Sequence, residues 1–131
     1  MKFIVSIFSV LLFYSCNIFE LKPLDVKEIE KNGIQVRWFY TSDISTVHNH
    51  VEIKDKNGWN QIMETDGNGY KIYDVLIIND SIIVQGYKDM TVYDLKTHYA
   101  NTYIKFDSAV TLYNYMKKFR PAEAKYYKNT E

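Results

Sequence analysis

Turn signals recur along this chain at short and regular intervals, and this spacing is the feature that most constrains its fold. The dipeptide Asn-Gly occurs at 32–33 and at 57–58, and it favours tight hairpin turns because both central residues take positive φ. A polar loop is predicted at 41–49, and further turn signals follow at 66–69, 79–80 and 86–89. Turns separated by roughly ten residues, with β-branched and aromatic runs between them, are typical of an antiparallel all-β domain.

The segments between the turns have the side-chain patterns of strands. In 34–40 the apolar residues alternate, which indicates a strand with one apolar face. Residues 70–78 are apolar on both sides and predict a strand covered on both faces. Residues 24–30 fit either a partner strand or a single helical turn, and we favour the strand. The prediction is a mainly β fold, a small antiparallel meander or sandwich or a partly open barrel of about 6–8 strands.

The pattern changes period near the C-terminus. Apolar residues recur at helical spacing between 109 and 119, which predicts one C-terminal α-helix over 108–119. Asp107 or Ser108 would cap its start, and Pro121 would end it.

The N-terminus reads MKFIVSIFSVLLFYSC. Lys2 precedes an apolar run from Phe3 to Tyr14 that suits a signal peptide and is shorter than the roughly 20 residues of a membrane-spanning helix. The run ends at Ser15-Cys16 and resembles the lipobox of bacterial lipoproteins. The commoner lipobox has Leu three residues before the cysteine, where this chain has Phe13. The resemblance implies cleavage before Cys16 and a diacylglyceryl group on its thiol.

This resemblance covers residues 1–16 and suggests a layout for the chain. Residues 1–15 would be the signal peptide, and 16–23 the lipidated cysteine and its tether. A single β-rich domain is expected over 24–120, with a loose tail over 121–131. The alternatives are a secreted, cleaved protein with a stray cysteine, or a buried N-terminal strand.

Composition and the N-terminal signal limit the cellular compartment and the classes of partner that we expect. The chain has 16 Lys and Arg against 16 Asp and Glu, so no basic excess points to nucleic acid. Cys16 is the only cysteine, which excludes an internal disulfide. Lipidation would place the protein in the bacterial cell envelope. Because Asn17 is not the aspartate associated with inner-membrane retention, the outer membrane is the predicted location.

Histidines supply the few candidates for metal chemistry. His48 and His50 would point to the same side of an extended segment, but a catalytic zinc site needs a third protein ligand. His98, Asp43 or Glu52 would serve only if the fold brought it close. The sequence has no Gly-rich phosphate loop, nucleophile elbow or CxxC pair. We therefore expect a protein without enzymatic activity, metal or cofactor, and a metal-dependent hydrolase is the least favoured reading.

The aromatic content suggests the kind of activity to expect. The twelve tyrosines and two tryptophans suit half-buried strands and recognition surfaces. In size and location the protein is similar to small lipoproteins that act as immunity proteins or inhibitors, so the first hypothesis is a protein-binding or accessory domain. The alternative is a carbohydrate- or small-ligand-binding module, which a concave aromatic cleft would favour over a flat patch. Candidate contact residues are Trp38, Tyr40, His48, His50 and Trp59.

Overall fold

The computed structural model describes residues 21–67, 72–87 and 91–129. In these residues nine strands form two sheets, followed by short helices at the C-terminus. The strands are β1 (Leu24–Lys31), β2 (Ile34–Ser42), β3 (Val47–Asp55), β4 (Gly58–Gly67), β5 (Ile72–Ile78), β6 (Ser81–Tyr87), β7 (Thr91–Leu95), β8 (His98–Tyr99) and β9 (Thr102–Val110). The helices are α1 (Leu112–Phe119), α2 (Pro121–Ala124) and a 3₁₀ turn at Lys125–Tyr127.

The strands are divided between two sheets that form a sandwich. Sheet A has the order β1-β2-β3-β4-β7 and is antiparallel throughout. Sheet B has the order β5-β6-β9-β8, in which only the β6–β9 pair is parallel among the described strands. The predicted mainly β, antiparallel fold is confirmed. The strand count exceeds the expected range of about 6–8 partly because β8 is a separate strand of only two residues.

The hairpin turns follow the predicted chemistry with one shift. Asn32 and Gly33 both have positive φ, 56° and 76°, as their turn requires. In the next hairpin Asp55 pairs with Gly58, so the turn residues are 56–57, one position earlier than expected, and Gly58 has φ 121°. The predicted turn at 66–69 lies largely outside the described residues.

The apolar core lies between the two sheets, where the inner faces meet. Ile62 and Met63 are consecutive in β4, yet both are completely buried, because the pairing with β3 shifts register between Val51 and Glu52. The buried core cluster consists of Val36, Val51, Ile53, Ile62 and Met63 from sheet A and Ile72, Val75, Ile77, Ile82, Val84 and Ile104 from sheet B.

The C-terminal helix is shorter than predicted. Strand β9 continues to Val110, which pairs with Tyr87 of β6, so 108–110 are extended and not helical. The N-cap is Thr111, whose hydroxyl accepts from the backbone N–H of Asn114 at 3.2 Å, and not Asp107 or Ser108. The helix ends at Phe119, before Pro121, as predicted.

The segment expected to be a loose tail is helical over much of its length. Pro121 stands at the first position of α2, where its missing N–H costs nothing, and the 3₁₀ turn follows directly. Ala124 is buried, which fixes this segment against its surroundings. Among the described residues, no helix has the length and apolar content needed to cross a bilayer.

Helix α1 covers the open side of the sandwich between β1 and β5. The Phe119 ring meets Tyr73 of β5 edge-on, with ring centroids 6.2 Å apart. Lys118 Nζ donates to the Tyr73 carbonyl at 2.7 Å, and Lys27 of β1 lies 5.5 Å from the Phe119 ring centroid. Met116, on the buried face of the helix, is only 6% exposed. The helix therefore links the edges of the two sheets.

The sandwich has two different ends. The turn end contains the tight turns at 32–33, 56–57, 79–80 and 100–101. The helix end contains the β2–β3 loop, the start of β1, the end of β9 and the start of α1. Two hydrogen bonds tie the sheets together at the turn end, Asn32 Nδ2 to the Asn79 carbonyl and Tyr99 Oη to Asp55 Oδ2.

Candidate functional site on the outer face of sheet A

Strand register sorts the polar residues of sheet A onto one surface. Position 37 pairs with 52, position 39 with 50, and position 41 with 48, while the intervening residues contribute to the core. We call this surface the outer face of sheet A. Its central residues are Arg37, Phe39, Thr41, His48, His50, Glu52, Trp59, Gln61 and Glu64.

Arg37 organises the part of this face nearer the turn end. Its Nε donates to Glu52 Oε2 at 2.6 Å, and the two side chains are only 26% and 16% exposed. The guanidinium carbon lies 4.4 Å from the ring centroid of Trp59 and 5.4 Å from that of Phe39. Lys54 Nζ is 5.5 Å from the Trp59 ring. A short charge-assisted bond together with two cation–π contacts restricts Arg37 to one orientation.

A chain of side-chain hydrogen bonds continues from His50. Its Nδ1 is 3.0 Å from Gln61 Oε1, and its Nε2 is 2.9 Å from Thr41 Oγ1. Gln61 Nε2 donates to Glu64 Oε2 at 3.1 Å, so the amide oxygen of Gln61 must accept from His50. This network assigns the proton of the neutral imidazole to Nδ1, and Nε2 then accepts from the Thr41 hydroxyl. The Phe39 ring stacks on His50 at 5.0 Å.

His48 extends the network toward the helix end. Its Nε2 lies 3.2 Å from Thr46 Oγ1, which donates its own proton to Asp43 Oδ2 at 2.9 Å. Nε2 of His48 must therefore be the donor to Thr46. Its Nδ1 lies 3.2 Å from Glu64 Oε1 but is sheltered from solvent and makes no aligned hydrogen bond to a described residue. The face therefore carries two hydrogen-bonded groups, Asp43–Thr46–His48 and Thr41–His50–Gln61–Glu64. They approach each other where His48 meets Glu64.

The structure divides the five predicted contact residues between the two sides of sheet A. His48, His50 and Trp59 lie together on the outer face. Trp38 pairs with Val51 and packs against the core, and Tyr40 follows it on the same side of β2 by alternation. Trp38 and Trp59 therefore lie on opposite sides of sheet A and do not form one surface.

Sequence reasoning missed Arg37, Gln61 and Glu64, and it named Glu52 only as a possible metal ligand. The signal for Arg37 was its place in the alternation of β2, which put it opposite the apolar face. The others depend on cross-strand register, and the bulge in β4 changes that register by one residue. A bulge of this kind has no marker in the local sequence here.

The histidine candidates for a metal are only partly brought together. His48 and His50 do share a side, with ring centroids 6.4 Å apart. His98 lies in sheet B, where its ring is 4.7 Å from that of Tyr103. Within 21–67, 72–87 and 91–129, no group of three or more His, Cys, Asp or Glu side chains is placed to bind a metal. Cys16, the predicted lipid attachment site, lies outside the described residues.

The β2–β3 loop beyond this face is closed by a single carboxylate. Asp43 Oδ1 accepts from the backbone N–H groups of Ser45 and Thr46 at 2.8 and 2.7 Å. These bonds lower the pKa of Asp43 to about 2. Ile44, at the tip, is fully exposed. Beside the loop is an open hollow of about 540 Å³, lined by Leu21, Ser42, Asp43, Ile44 and Ser45.

Comparison with known proteins gives no further evidence on this surface. No protein-family model matches the chain, and no curated protein or solved structure is significantly similar to it. An inference about function therefore depends on the N-terminal sequence and on the geometry of the sandwich surface.

Proposed function

We propose that this protein is a lipid-anchored protein of the bacterial outer membrane whose sandwich binds another protein through the outer face of sheet A. The observation that supports the binding surface is the cluster of Arg37, His50 and Trp59, in which Arg37 and His50 pack on the buried ring of Phe39. Arginine and aromatic side chains supply a large share of the energy at protein interfaces. The role is non-catalytic, that of an immunity protein, an inhibitor or an accessory subunit.

The cluster is ordered before any partner arrives. Arg37 is fixed by Glu52 and by two rings, and His50 has a hydrogen-bond partner on each ring nitrogen. Immobilising a flexible side chain at an interface costs about 0.5–1.5 kcal/mol, so a surface that is already ordered retains more of its contact energy on binding.

Charge indicates the chemistry of the partner. The charged residues on the outer face of sheet A are mainly acidic, in contrast to the neutral chain as a whole. Complementary potentials speed association and exclude wrong partners, so the proposed partner presents a basic surface. The carboxylates are Glu28, Glu30, Glu52, Glu64 and Asp94, against Arg37 and Lys54.

The same contacts argue against a carbohydrate as the ligand. Sugar recognition by stacking needs an uncovered aromatic face, usually in a concave site. The Trp59 ring is approached by the cations of Arg37 and Lys54, and the Phe39 ring by Arg37 and His50. The rings of this face are therefore engaged within the protein.

The anchor has a direct test. Intact mass of the membrane-extracted protein should show a diacylglyceryl-type adduct that is absent from Cys16→Ala. An unmodified wild-type mass would contradict the anchor without bearing on the binding face.

The binding face is tested by site-specific crosslinking in intact cells. A photoreactive phenylalanine analogue replaces Trp59, and the control replaces Tyr103, which is 55% exposed on sheet B. We expect one discrete protein adduct at position 59, none at position 103, and loss of the adduct when Arg37→Glu is added. Equal adducts at both positions, or none at 59, would contradict the proposal. Glycan binding that requires Trp59 would favour a carbohydrate-binding role.

A further inference from the structure

We propose that the helix end of the sandwich is a lipid-binding surface that docks on an anionic membrane. Ile44 and Leu21 would enter the headgroup region, and the lysines from α1 to the end of the 3₁₀ turn and just beyond would contact the headgroups. This inference rests on the anchor at Cys16 proposed above, and it adds a second contact that fixes the orientation of the domain.

The first argument is the length of the tether. Leu21 lies five positions after Cys16, and an extended chain spans at most about 3.6 Å per residue, so Leu21 stays within about 18 Å of the lipidated cysteine. Leu21 and Ile44 line the same hollow. The β2–β3 loop is therefore brought to the membrane by the anchor itself.

The second argument is the unusual exposure of apolar side chains at this place. Ile44 has a relative exposure of 106% and Leu21 of 43%. Asp43 bonds the backbone of its own loop, which leaves the isoleucine projecting from a closed turn. A large apolar side chain on such a turn gains free energy by entering an apolar phase. The membrane is the apolar phase that the tether brings close to Ile44.

The third argument is charge complementarity. Residues 112–128 contain five basic residues against one acidic residue, Glu123, although the chain as a whole is neutral. Anionic lipids attract such segments by about 1 kcal/mol for each Lys or Arg at the surface. Tyr126 adds a 73% exposed aromatic ring of the kind found at membrane interfaces. All five basic residues are exposed, namely Lys117, Lys118, Arg120, Lys125 and Lys128. Lys118 is paired with Asp74 and Arg120 with Glu123, so the other three lysines carry most of this argument.

Acidic groups at the same end are already engaged within the protein. Asp74 Oδ2 lies 3.4 Å from Lys118 Nζ, and Asp25 Oδ2 lies 3.6 Å from Lys27 Nζ. Asp43 accepts the amides of its own loop. These pairings reduce the repulsion that anionic headgroups would otherwise meet.

Docking in this orientation would display the protein-binding cluster. Trp59 pairs with Lys54 near the turn end, seven residues along β3 from Val47 at the helix end. At about 3.3 Å per residue this is about 23 Å farther from the bilayer. The outer face of sheet A would then stand upright with its aromatic cluster away from the membrane.

The test labels two positions of the lipidated full-length protein with an environment-sensitive fluorophore. Ile44→Cys places the label at the helix end, and Ile78→Cys, at a residue 49% exposed beside the 79–80 turn, is the matched control. In the anchored protein the introduced thiol is the only free one, because Cys16 is the chain's single cysteine. The protein is reconstituted into phosphatidylcholine vesicles, with or without about a third phosphatidylglycerol, that contain a spin-labelled quencher lipid.

We expect a blue-shifted emission and lipid quenching at position 44, stronger with phosphatidylglycerol, and neither at position 78. The double variant Lys125→Gln with Lys128→Gln should remove the phosphatidylglycerol dependence, whereas Lys31→Gln with Lys56→Gln, near the turn end, should not. Equal quenching at 44 and 78 in protein that carries the mass adduct would overturn the docking and leave the anchor intact. A blue shift at 44 without lipid quenching would indicate a protein or a second copy as the occupant. Absence of the adduct would overturn the anchor and this inference together.

Discussion

The two ends of this sandwich are built by different means. The turn end is closed by short turns whose residues provide their own geometry, such as Asn32 and Gly33 with positive φ. Helix α1 starts at the helix end and covers the side between β1 and β5, where it is held by contacts with strands distant in sequence, such as Lys118 with Tyr73. The tight turns therefore depend on local backbone preference, whereas the position of α1 depends on packing. The exposed apolar loop and the start of α1 lie at the helix end.

The largest effect is expected where α1 packs on the sandwich. Met116→Ala should reduce the free energy of unfolding by about 2–5 kcal/mol, because it removes a side chain that is only 6% exposed and leaves a cavity. Urea denaturation followed by tryptophan fluorescence measures this change. The neighbouring exposed Lys117→Ala is the control and should stay within about 0.5 kcal/mol. A small effect of Met116→Ala would mean that α1 is an appendage and not part of the closure.

At the turn end, Gly33→Ala should be destabilising by about 1–2 kcal/mol, because φ 76° brings an L side chain into the left-handed region. No described atom lies within 4 Å of the added Cβ, so the cost is conformational and not steric. Gly33→Asn should lose less, since asparagine tolerates this region. Thermal unfolding of the two variants separates them, and equal losses would argue against local backbone control.

A smaller effect of opposite sign is expected in the turn between β8 and β9. Ala100 has φ 50°, so Ala100→Gly should raise the free energy of unfolding by about 0.5–1 kcal/mol through relief of this strain. Ala122→Gly, in α2, is the matched control and should be destabilising because glycine disfavours a helix. If both substitutions changed stability in the same direction, the turn at 100–101 would not be under the inferred strain.

The smallest effects concern two aspartates, one at each end. The pKa of Asp43 is lowered to about 2 by bonds within its own loop, and the pKa of Asp55 is lowered chiefly by the hydroxyl of Tyr99. Both carboxylates stabilise the fold when ionised, so the contribution is present above the ordinary value of 3.8. The contribution of Asp43 is lost as the pH falls through about 2.

The substitution Tyr99→Phe separates Asp43, whose pKa is lowered by bonds within its own loop, from Asp55, whose pKa is lowered by a residue distant in sequence. Carboxyl NMR titration should show the pKa of Asp55 rising toward its ordinary value in this variant, while that of Asp43 stays unchanged. A shift of both groups would indicate that the β2–β3 loop depends on the inter-sheet contact at the opposite end.

Much of the fold followed from the sequence because strands and turns are short-range features. The alternation in β2 and the Asn-Gly turn at 32–33 were predicted at their observed places. The helix start was wrong because Val110 pairs with Tyr87, and this long-range pairing overrides the helical periodicity that begins at residue 109. The tail was misread for a similar reason, since the burial of Ala124 is decided by packing.

The candidate site was likewise predicted only where short-range sequence features decide it. His48, His50 and Trp59 were identified as candidates from residue type, yet Trp38 and Tyr40 belong to the opposite side of the sheet. Side-chain alternation in one strand could have separated Trp38 from Arg37. The pairing of Arg37 with Glu52 and of His50 with Gln61 required the strand order and the bulge in β4.

The sequence by itself determined the β class, the tight turns and the end of the helix, because backbone propensity and side-chain period act within a few residues. It also supplies the signal at Cys16 on which the proposed anchor rests. Only the tertiary structure decided the division into two sheets, the polar network of the outer face and the placing of Leu21, Ile44 and the start of α1 at one end. These features arise from contacts between residues far apart in the chain, which form only when burial of the shared apolar core brings the strands into register.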